Sequence, residues 1–451
     1  MAPMHLESWT PPAKLERSIG HGGINRATPI VSVRGLVSAL DRRPFAMLLF
    51  VIAILRIGAT WYQMASTFSP MEFSIYYCSA VTLRGGGDPY RTDMHPLART
   101  LGLEKEGYVE QTNNPPTFLV ALEPLAMLSP PHAYWAWQLV NATAFALALF
   151  LLLAPKYSGL SPSMAWSLAA LALLFPPVGN NFCIAQSKML ALLPLVAMMR
   201  LMERRRDALA GIMLGLTGLM HVFPLLLIGY LLLMRRWRAV AFTAGTILLG
   251  GIATLALMGF DHSLGFFSAV GALASQRWMS ESSNISLGAF ISKILSSVSG
   301  SHARESTEMI RVACIILADL VVMALVVKRT DWEGGEDWNW RVFSLWLVAA
   351  VMISPTAWFH YLLLLLIPFA QAAVAANRGL VSARVVWAMA AICLLIGLIG
   401  DTLRLVADDG LVVGQLRNLE VICMFAGFAA TYWFALAPER TREEESWELA
   451  S

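Results

Sequence analysis

Charge is scarce in this chain. Asp, Glu, Lys and Arg make up 14% of its 451 residues, against about 25% in soluble domains. Hydrophobic residues fill 57% of it, and the mean hydropathy is +0.60. That balance excludes an ordinary soluble enzyme and a disordered chain. An excess of basic residues is also missing. The 33 Lys and Arg face 30 Asp and Glu, for a net charge of +3, so no nucleic-acid partner is expected. The five cysteines, Cys78, Cys183, Cys314, Cys393 and Cys423, are odd in number and show no ligand spacing. They support neither a disulfide framework nor a zinc site and read as small buried hydrophobes. No Gly-x-Gly-x-x-Gly precedes a helix, and there is no Asp-x-Asp to hold a metal-bound nucleotide. Neither a metal nor a cofactor is expected. No low-complexity linker and no internal repeat divides the chain.

What remains is a series of long apolar runs, and the expected class is an all-α polytopic integral membrane protein. The first 43 residues are polar, carry Lys14, Arg17, Arg26, Arg34, Arg42 and Arg43, and lack the short apolar core of a signal peptide. They read as a cytoplasmic tail, as do residues 438–451. Between them lies one membrane domain, 44–437. Its apolar runs fall near 44–66, 131–154, 163–179, 187–202, 208–220, 222–234, 239–259, 308–328, 341–355, 360–375, 385–402 and 414–437, about twelve transmembrane helices. The pair 208–220 and 222–234 is one stretch broken at His221-Val222-Phe223-Pro224. Such a break at membrane depth must be buried in protein or line a cavity.

Four basic clusters orient the chain: Arg204-Arg205-Arg206, Arg235-Arg236 with Arg238, Lys328-Arg329, and Arg378 with Arg384. Cytoplasmic placement of all four puts both termini in the cytoplasm. It also requires the short run 117–129, flanked by prolines, to be re-entrant or interfacial. Two long external loops follow, about 67–116 and 260–307, and function is sought where external loops converge.

The first external loop carries the most information. Ser69-Pro70-Met71-Glu72 starts a short helix with apolar residues at Phe73, Tyr76, Tyr77 and Val81, which suits the membrane interface, and Gly85-Gly86-Gly87 ends it. Two readings of Glu72 stand. Ser69-x-x-Glu72 has the spacing of a capping box, in which the carboxylate satisfies a backbone donor. Alternatively, Glu72 is a general base held at the outer face of the membrane. Asp88-Pro89-Tyr90 reads as turn chemistry.

In their order, these residues resemble a known family. A span, an acidic residue before Phe73-Ser74-Ile75-Tyr76-Tyr77, then Gly85-Gly86-Gly87-Asp88-Pro89-Tyr90 in a Gly-Gly-x-Asp-Pro-Tyr pattern and a Pro115-Pro116 apolar run are similar to glycosyltransferase family 87. Downstream, Ala185-Gln186-Ser187-Lys188 resembles a Gly-Gln-x-Asn segment. His221-Val222-Phe223-Pro224 resembles Lys-x-Phe-Pro, and Asn284-Ile285-Ser286-Leu287 resembles Asn-Gln-Ser-Leu. Ser354-Pro355-Thr356-Ala357-Trp358-Phe359-His360-Tyr361 resembles Ser-Pro-x-x-Trp-x-His-Tyr. The resemblance covers about 44–437. Three positions depart from it: Glu72 stands where Asp is usual, His221 where Lys is usual, and Lys188 where Asn is usual.

The resemblance implies a GT-C-like fold in the inner or plasma membrane, with its active site on the external, periplasmic face. It implies transfer of a hexose, mannose by analogy, with inversion. The sugar moves from a polyprenyl-phosphate donor in the membrane lipid to a hydroxyl of a glycan or glycolipid acceptor. Glu72 then takes the acceptor's proton, and cations stabilise the leaving phosphate. The candidates for the phosphate are Arg277, His360, Lys188, His221 and Arg404. Tyr76, Tyr77 and Trp358 are candidates for sugar or lipid contact. Each has a plainer alternative: snorkelling for the cations, helix-break packing for the histidines, interface anchoring for the aromatics. Twelve spans with intramembrane charge also admit a multi-pass transporter or lipid flippase, which would favour paired broken helices in two similar halves.

Overall fold

A computed structural model describes residues 38–67, 71–103, 112–273, 279, 281, 283–299, 305–330, 340–381, 388–389, 391–393, 395–397 and 410–436. The tails 1–37 and 437–451 and most of the apolar run 385–402 lie outside the described residues. So do Ser69, Pro70, Arg277 and Arg404.

All regular structure among the described residues is helical. In chain order the helices are α1 (Arg43–Thr67), α2 (Met71–Arg84), α3 (His95–Thr100), α4 (Pro116–Leu122), α5 (Pro130–Leu153), α6 (Pro155–Ser158), α7 (Pro162–Leu174), α8 (Pro176–Cys183) and α9 (Lys188–Glu203). There follow α10 (Asp207–Met220), α11 (Leu227–Leu233), α12 (Trp237–Met258), α13 (Phe260–Leu273), α14 (Leu287–Ser299), α15 (Glu305–Arg329), α16 (Trp340–Met352), α17 (Leu366–Asn377) and α18 (Gly410–Leu436). Short 3-10 turns, Glu123–Met127, Phe223–Leu226 and Phe359–Leu365, precede or follow breaks.

Proline sets many of the starts. Pro116, Pro130, Pro155, Pro162 and Pro176 each open a helix, where the missing N–H costs nothing and φ is already helical. Ser161 completes the start of α7 by accepting the Met164 N–H at 3.1 Å.

Among the described residues, five stretches are long and apolar enough to cross a membrane: Arg43–Tyr62, Pro130–Leu153, Trp237–Met258, Met309–Arg329 and Phe359–Asn377. The pair α7 and α8, bent by 53° at Phe175, makes a sixth. Exposed Met47, Leu48, Val51 and Leu55 on α1, Leu248, Leu249 and Ile252 on α12, and Leu317, Leu320 and Val321 on α15 form bare apolar faces. In water such faces would be a liability; against lipid tails they are at home. The protein is a helical membrane protein, with no strand among the described residues.

The bend between α7 and α8 releases a carbonyl. Arg56, inside α1, donates to that Leu174 carbonyl at 2.8 Å. A charge inside a membrane helix is thereby tied to a backbone dipole.

The segment 67–116 holds α2 and α3. Helix α2 is covered on almost every side, with Phe73 through Ala80 buried in an unbroken run. It packs on α4, α5 and the 3-10 turn Glu123–Met127. The apolar periodicity of α2 is therefore only part of its buried surface; Ser74, Cys78 and Ser79 are enclosed as well. The helix ends as its glycines imply, with Gly86 at φ 77° and Gly87 N–H donating to the Thr82 carbonyl at 2.9 Å. Asp88 does turn chemistry, its Oδ1 accepting the Tyr90 N–H at 2.8 Å.

The bundle has two chemically distinct ends. At one end Arg378 donates to the Ser158 carbonyl at 2.7 Å, Arg236 lies 3.7 Å from Asp207, and Arg204 stacks on Tyr157. Three of the four basic clusters thus meet at this end. The 16 residues of α9 carry the chain about 24 Å away from it at 1.5 Å per residue. Lys188 and His221 are at the far end.

Helices α10 and α12 approach so closely that a side chain has no room between them. A Cβ built on Gly211 would lie 2.2 Å from the Ala239 carbonyl oxygen, and one on Gly215 would lie 2.5 Å from Thr246. Thr243 Oγ1 donates to the Gly211 carbonyl at 3.0 Å. This is small-residue packing, which in lipid replaces the hydrophobic drive between helices. Gly211→Val is expected to destabilise the protein by about 1–3 kcal/mol through overpacking. Thermal unfolding in detergent measures it as a lowered Tm, whereas Gly245→Val, where nothing lies within 4 Å of the added Cβ, leaves Tm close to wild type.

Candidate active site

Three chain breaks converge at the end of the bundle far from the arginines. The first is the turn 184–187 between α8 and α9, where Ala185 sits at φ 57°. A left-handed alanine costs about 1–2 kcal/mol, and its carbonyl is held by Trp137 Nε1 at 2.8 Å. The second is His221, extended at φ −146°, ψ 125° between α10 and the 3-10 turn Phe223–Leu226. The third is 353–358, between α16 and the turn Phe359–Leu365. The break read from the sequence at His221–Pro224 is present, and the third break falls in Ser354–Tyr361, which the sequence marked only as a motif of the resemblance.

Polar side chains satisfy what the breaks release. Gln138 Nε2 donates to the Phe182 carbonyl at 2.8 Å, and Asn181 Nδ2 to the His360 carbonyl at 3.1 Å. Asn284 works in both directions. Its Nδ2 donates to the Pro355 carbonyl at 3.0 Å, and its Oδ1 accepts the Ala357 N–H at 3.1 Å and the Ser286 N–H at 3.0 Å. The Asn284–Leu287 motif is a clamp on the turn that presents His360.

The breaks bring the candidate residues together. The Glu72 N–H donates to the Ile184 carbonyl at 3.2 Å, which seats the start of α2 on the first break. The half-buried Glu72 carboxylate acts electrostatically on Lys188, Tyr76 and Tyr361. Lys188 is buried, with Nζ 3.3 Å from His221 Nδ1, 3.4 Å from His221 Nε2 and 4.5 Å from the centre of the Tyr361 ring. That last contact is a cation–π arrangement. Both histidines lie within electrostatic reach of Lys188 and of one another. His360 Nε2 is buried with no hydrogen-bond partner among the described residues, as is Asn181 Oδ1.

Aromatic rings enclose this cluster. Tyr76 packs edge-on against Phe118 at 5.4 Å and Trp137 at 5.6 Å, and Phe223 lies 5.4 Å from Tyr361. The Tyr76 hydroxyl donates to Gln186 Oε1 at 3.0 Å. Burial, reinforced by the Glu72 charge, pushes this phenol well above its ordinary range, so it stays a donor. Tyr77 instead donates to the Leu128 carbonyl at 2.6 Å, bracing α2 on the turn Glu123–Met127. Trp358 is half-buried against the core. Burial raises the Cys78 thiol to about 12, in keeping with a packing role. No group of three His, Cys, Asp or Glu among the described residues is placed to hold a metal ion.

Of the site residues read from the sequence, Glu72, Tyr76, Lys188, His221 and His360 thus gather at one place. Gln186, Ser187, Asn181 and Tyr361 belong to it and were not singled out. Three of these four are adjacent in sequence to a residue that was, or share its motif, and that neighbourhood was the available signal. Asn181 offered none, because its partner is a backbone carbonyl 179 positions away.

A half-buried carboxylate, a buried amine and two buried imidazoles meet at helix breaks of a helical membrane protein, and this cluster is the candidate active site. The model of glycosyltransferase family 87 matches residues 112–355, more than half the chain. The protein belongs to that family and is a membrane glycosyltransferase. The match includes Lys188 and His221; Glu72 and His360 lie outside it. No curated protein and no solved structure matches the chain.

Asn284→Ala removes two hydrogen bonds from the turn before His360 and a third to the Ser286 N–H. The expected loss is about 1–3 kcal/mol for the buried groups left unpaired, read as a lower Tm. Transfer activity falls with it as the turn loosens.

Proposed function

We propose that the protein transfers a hexose, mannose by analogy within its class, from a polyprenyl-phosphate sugar to a hydroxyl of a glycan or glycolipid, with inversion. The active site faces the external side of the inner or plasma membrane, both termini are cytoplasmic, and the GT-C-like domain has about twelve crossings. The observation that carries this reading is the meeting of Glu72, Lys188, His221 and His360 at one buried place in a family 87 chain. The separation of that place from the basic end by the length of α9 supports the external face, since basic residues mark the cytoplasmic side.

Glu72 takes the proton of the acceptor hydroxyl. The oxygen attacks the anomeric carbon, and the bond from that carbon to the phosphate oxygen breaks. The electron pair leaves with polyprenyl phosphate, whose growing charge faces Lys188, His221 and His360. A preorganised amine in a water-poor site stabilises such charge far better than solvent does. His360 Nε2, unpartnered within the described protein, is available to a phosphate oxygen. Tyr76 orients the helix that bears Glu72. Arg277 and Arg404 remain further proposed phosphate contacts, and Trp358 a proposed sugar or lipid contact.

Two of the three departures from the family pattern, Lys188 and His221, touch each other at 3.3 Å. A cation usual at 221 stands at 188 instead, and the pair keeps one amine at the same place.

Glu72→Gln, reconstituted in vesicles with radiolabelled polyprenyl-phosphate hexose, is expected to fold normally and lose about 10²–10⁴-fold in transfer rate. Full activity would remove the proposed base. Lys188→Asn is expected to lower transfer by at least tenfold, the worth of one charge-assisted contact. His221→Lys in the same chain is expected to restore part of it. Failure of the double variant to exceed the single one would separate the two positions functionally.

A further inference from the structure

Ser187 carries no charge and is fully enclosed at the centre of the cluster. Its Oγ lies 3.3 Å from the Tyr76 hydroxyl and 3.1 Å from His221 Nε2. It therefore connects three elements: α2, the start of α9 and the break after α10.

The protons in this network can be counted. Tyr76 has one, and it goes to Gln186 Oε1 at 3.0 Å. That oxygen also accepts the Ser187 N–H at 3.2 Å, which settles which end of the amide faces the phenol. The contact between Ser187 and Tyr76 must then use the serine proton. Ser187 is left to accept at its second contact, so His221 donates from Nε2. Nδ1 keeps a lone pair. Lys188 Nζ is nearly equidistant from Nδ1, at 3.3 Å, and Nε2, at 3.4 Å, so it lies across the ring rather than along either lone pair and selects neither tautomer. In the opposite assignment Ser187 donates to Nε2, and the Tyr76–Ser187 contact would have no proton. Only the first assignment gives every contact among Tyr76, Gln186, Ser187 and His221 a proton.

We propose that Ser187 is a positioning residue. Its hydroxyl sets the direction of a chain of donors, His221 to Ser187 to Tyr76 to Gln186. It holds His221 as the Nε2–H tautomer, and it thereby fixes the ring that packs against the Lys188 amine. The consequence for rate rests on the glycosyl-transfer reading. The tautomer does not, because it belongs to the protein without substrate.

The direct test is nitrogen NMR on detergent-solubilised protein labelled with ring-15N histidine, with His221→Ala identifying the His221 signals. The expected wild-type spectrum shows a neutral His221 protonated on Nε2. In Tyr76→Phe the serine proton is released toward His221, and the tautomer shifts to Nδ1–H. In Ser187→Ala the single tautomer is lost, and kcat falls about tenfold, the worth of one buried hydrogen bond, while the donor KM changes less. Ser187→Thr restores both signals and rate. Should Ser187→Ala fail to fold, Tyr76→Phe and Ser187→Thr carry the test. A wild-type His221 protonated on Nδ1, or one whose signals ignore both Ser187→Ala and Tyr76→Phe, overturns the proposal. A protein that shows the expected tautomer shifts yet transfers no sugar overturns the glycosyl-transfer reading and leaves the positioning role standing.

Discussion

A buried amine is the constraint around which this protein is organised. Lys188 begins α9 with almost no access to solvent, and an ammonium there needs partners supplied by the protein. The fold supplies a carboxylate within electrostatic reach, an imidazole at hydrogen-bond distance and an aromatic face. None of these comes from an uninterrupted helix. Glu72 is at a helix start, His221 at a helix end, and Tyr361 in a 3-10 turn. Broken helices are what bring these side chains to one place.

Breaking a helix in lipid carries its own cost, since every released backbone group needs a partner. The buried polar residues outside the cluster answer that need. Trp137 holds Ala185, Gln138 holds Phe182, Asn181 holds the carbonyl of His360, and Asn284 clamps the turn before it. Arg56 does the same for Leu174 at the bend between α7 and α8. The site and the scaffold are thus one polar network within an apolar bundle, and the close glycine packing of α10 on α12 holds its His221 arm in place.

Local physics made much of this legible before any fold was known. The helix break at Pro224 follows from a residue with no amide donor. The end of α2 follows from three glycines, and the turn at Asp88 from an aspartate that bonds its own backbone. The covering of α2 was not legible. Its Phe73, Tyr76, Tyr77 and Val81 pattern describes one apolar face, whereas the structure encloses Ser74 and Ser79 too. Their hydroxyls donate to Leu103 and Ile75 carbonyls, so burying them carries little penalty. Periodicity cannot report such satisfied polar groups.

Composition and run length by themselves determined that the chain is helical and lives in a membrane, because few charges and long apolar stretches leave a water-soluble fold no surface to expose. The order of its motifs identified the family. Only the tertiary structure decided that positions 72, 76, 186–188, 221 and 360–361 are neighbours, and that Ser187 stands between Tyr76 and His221. These contacts join residues more than a hundred positions apart in several cases. Proximity of that kind is set by where breaks and close-packed helices bring the chain together, and no local pattern of residues encodes a distance across a bundle.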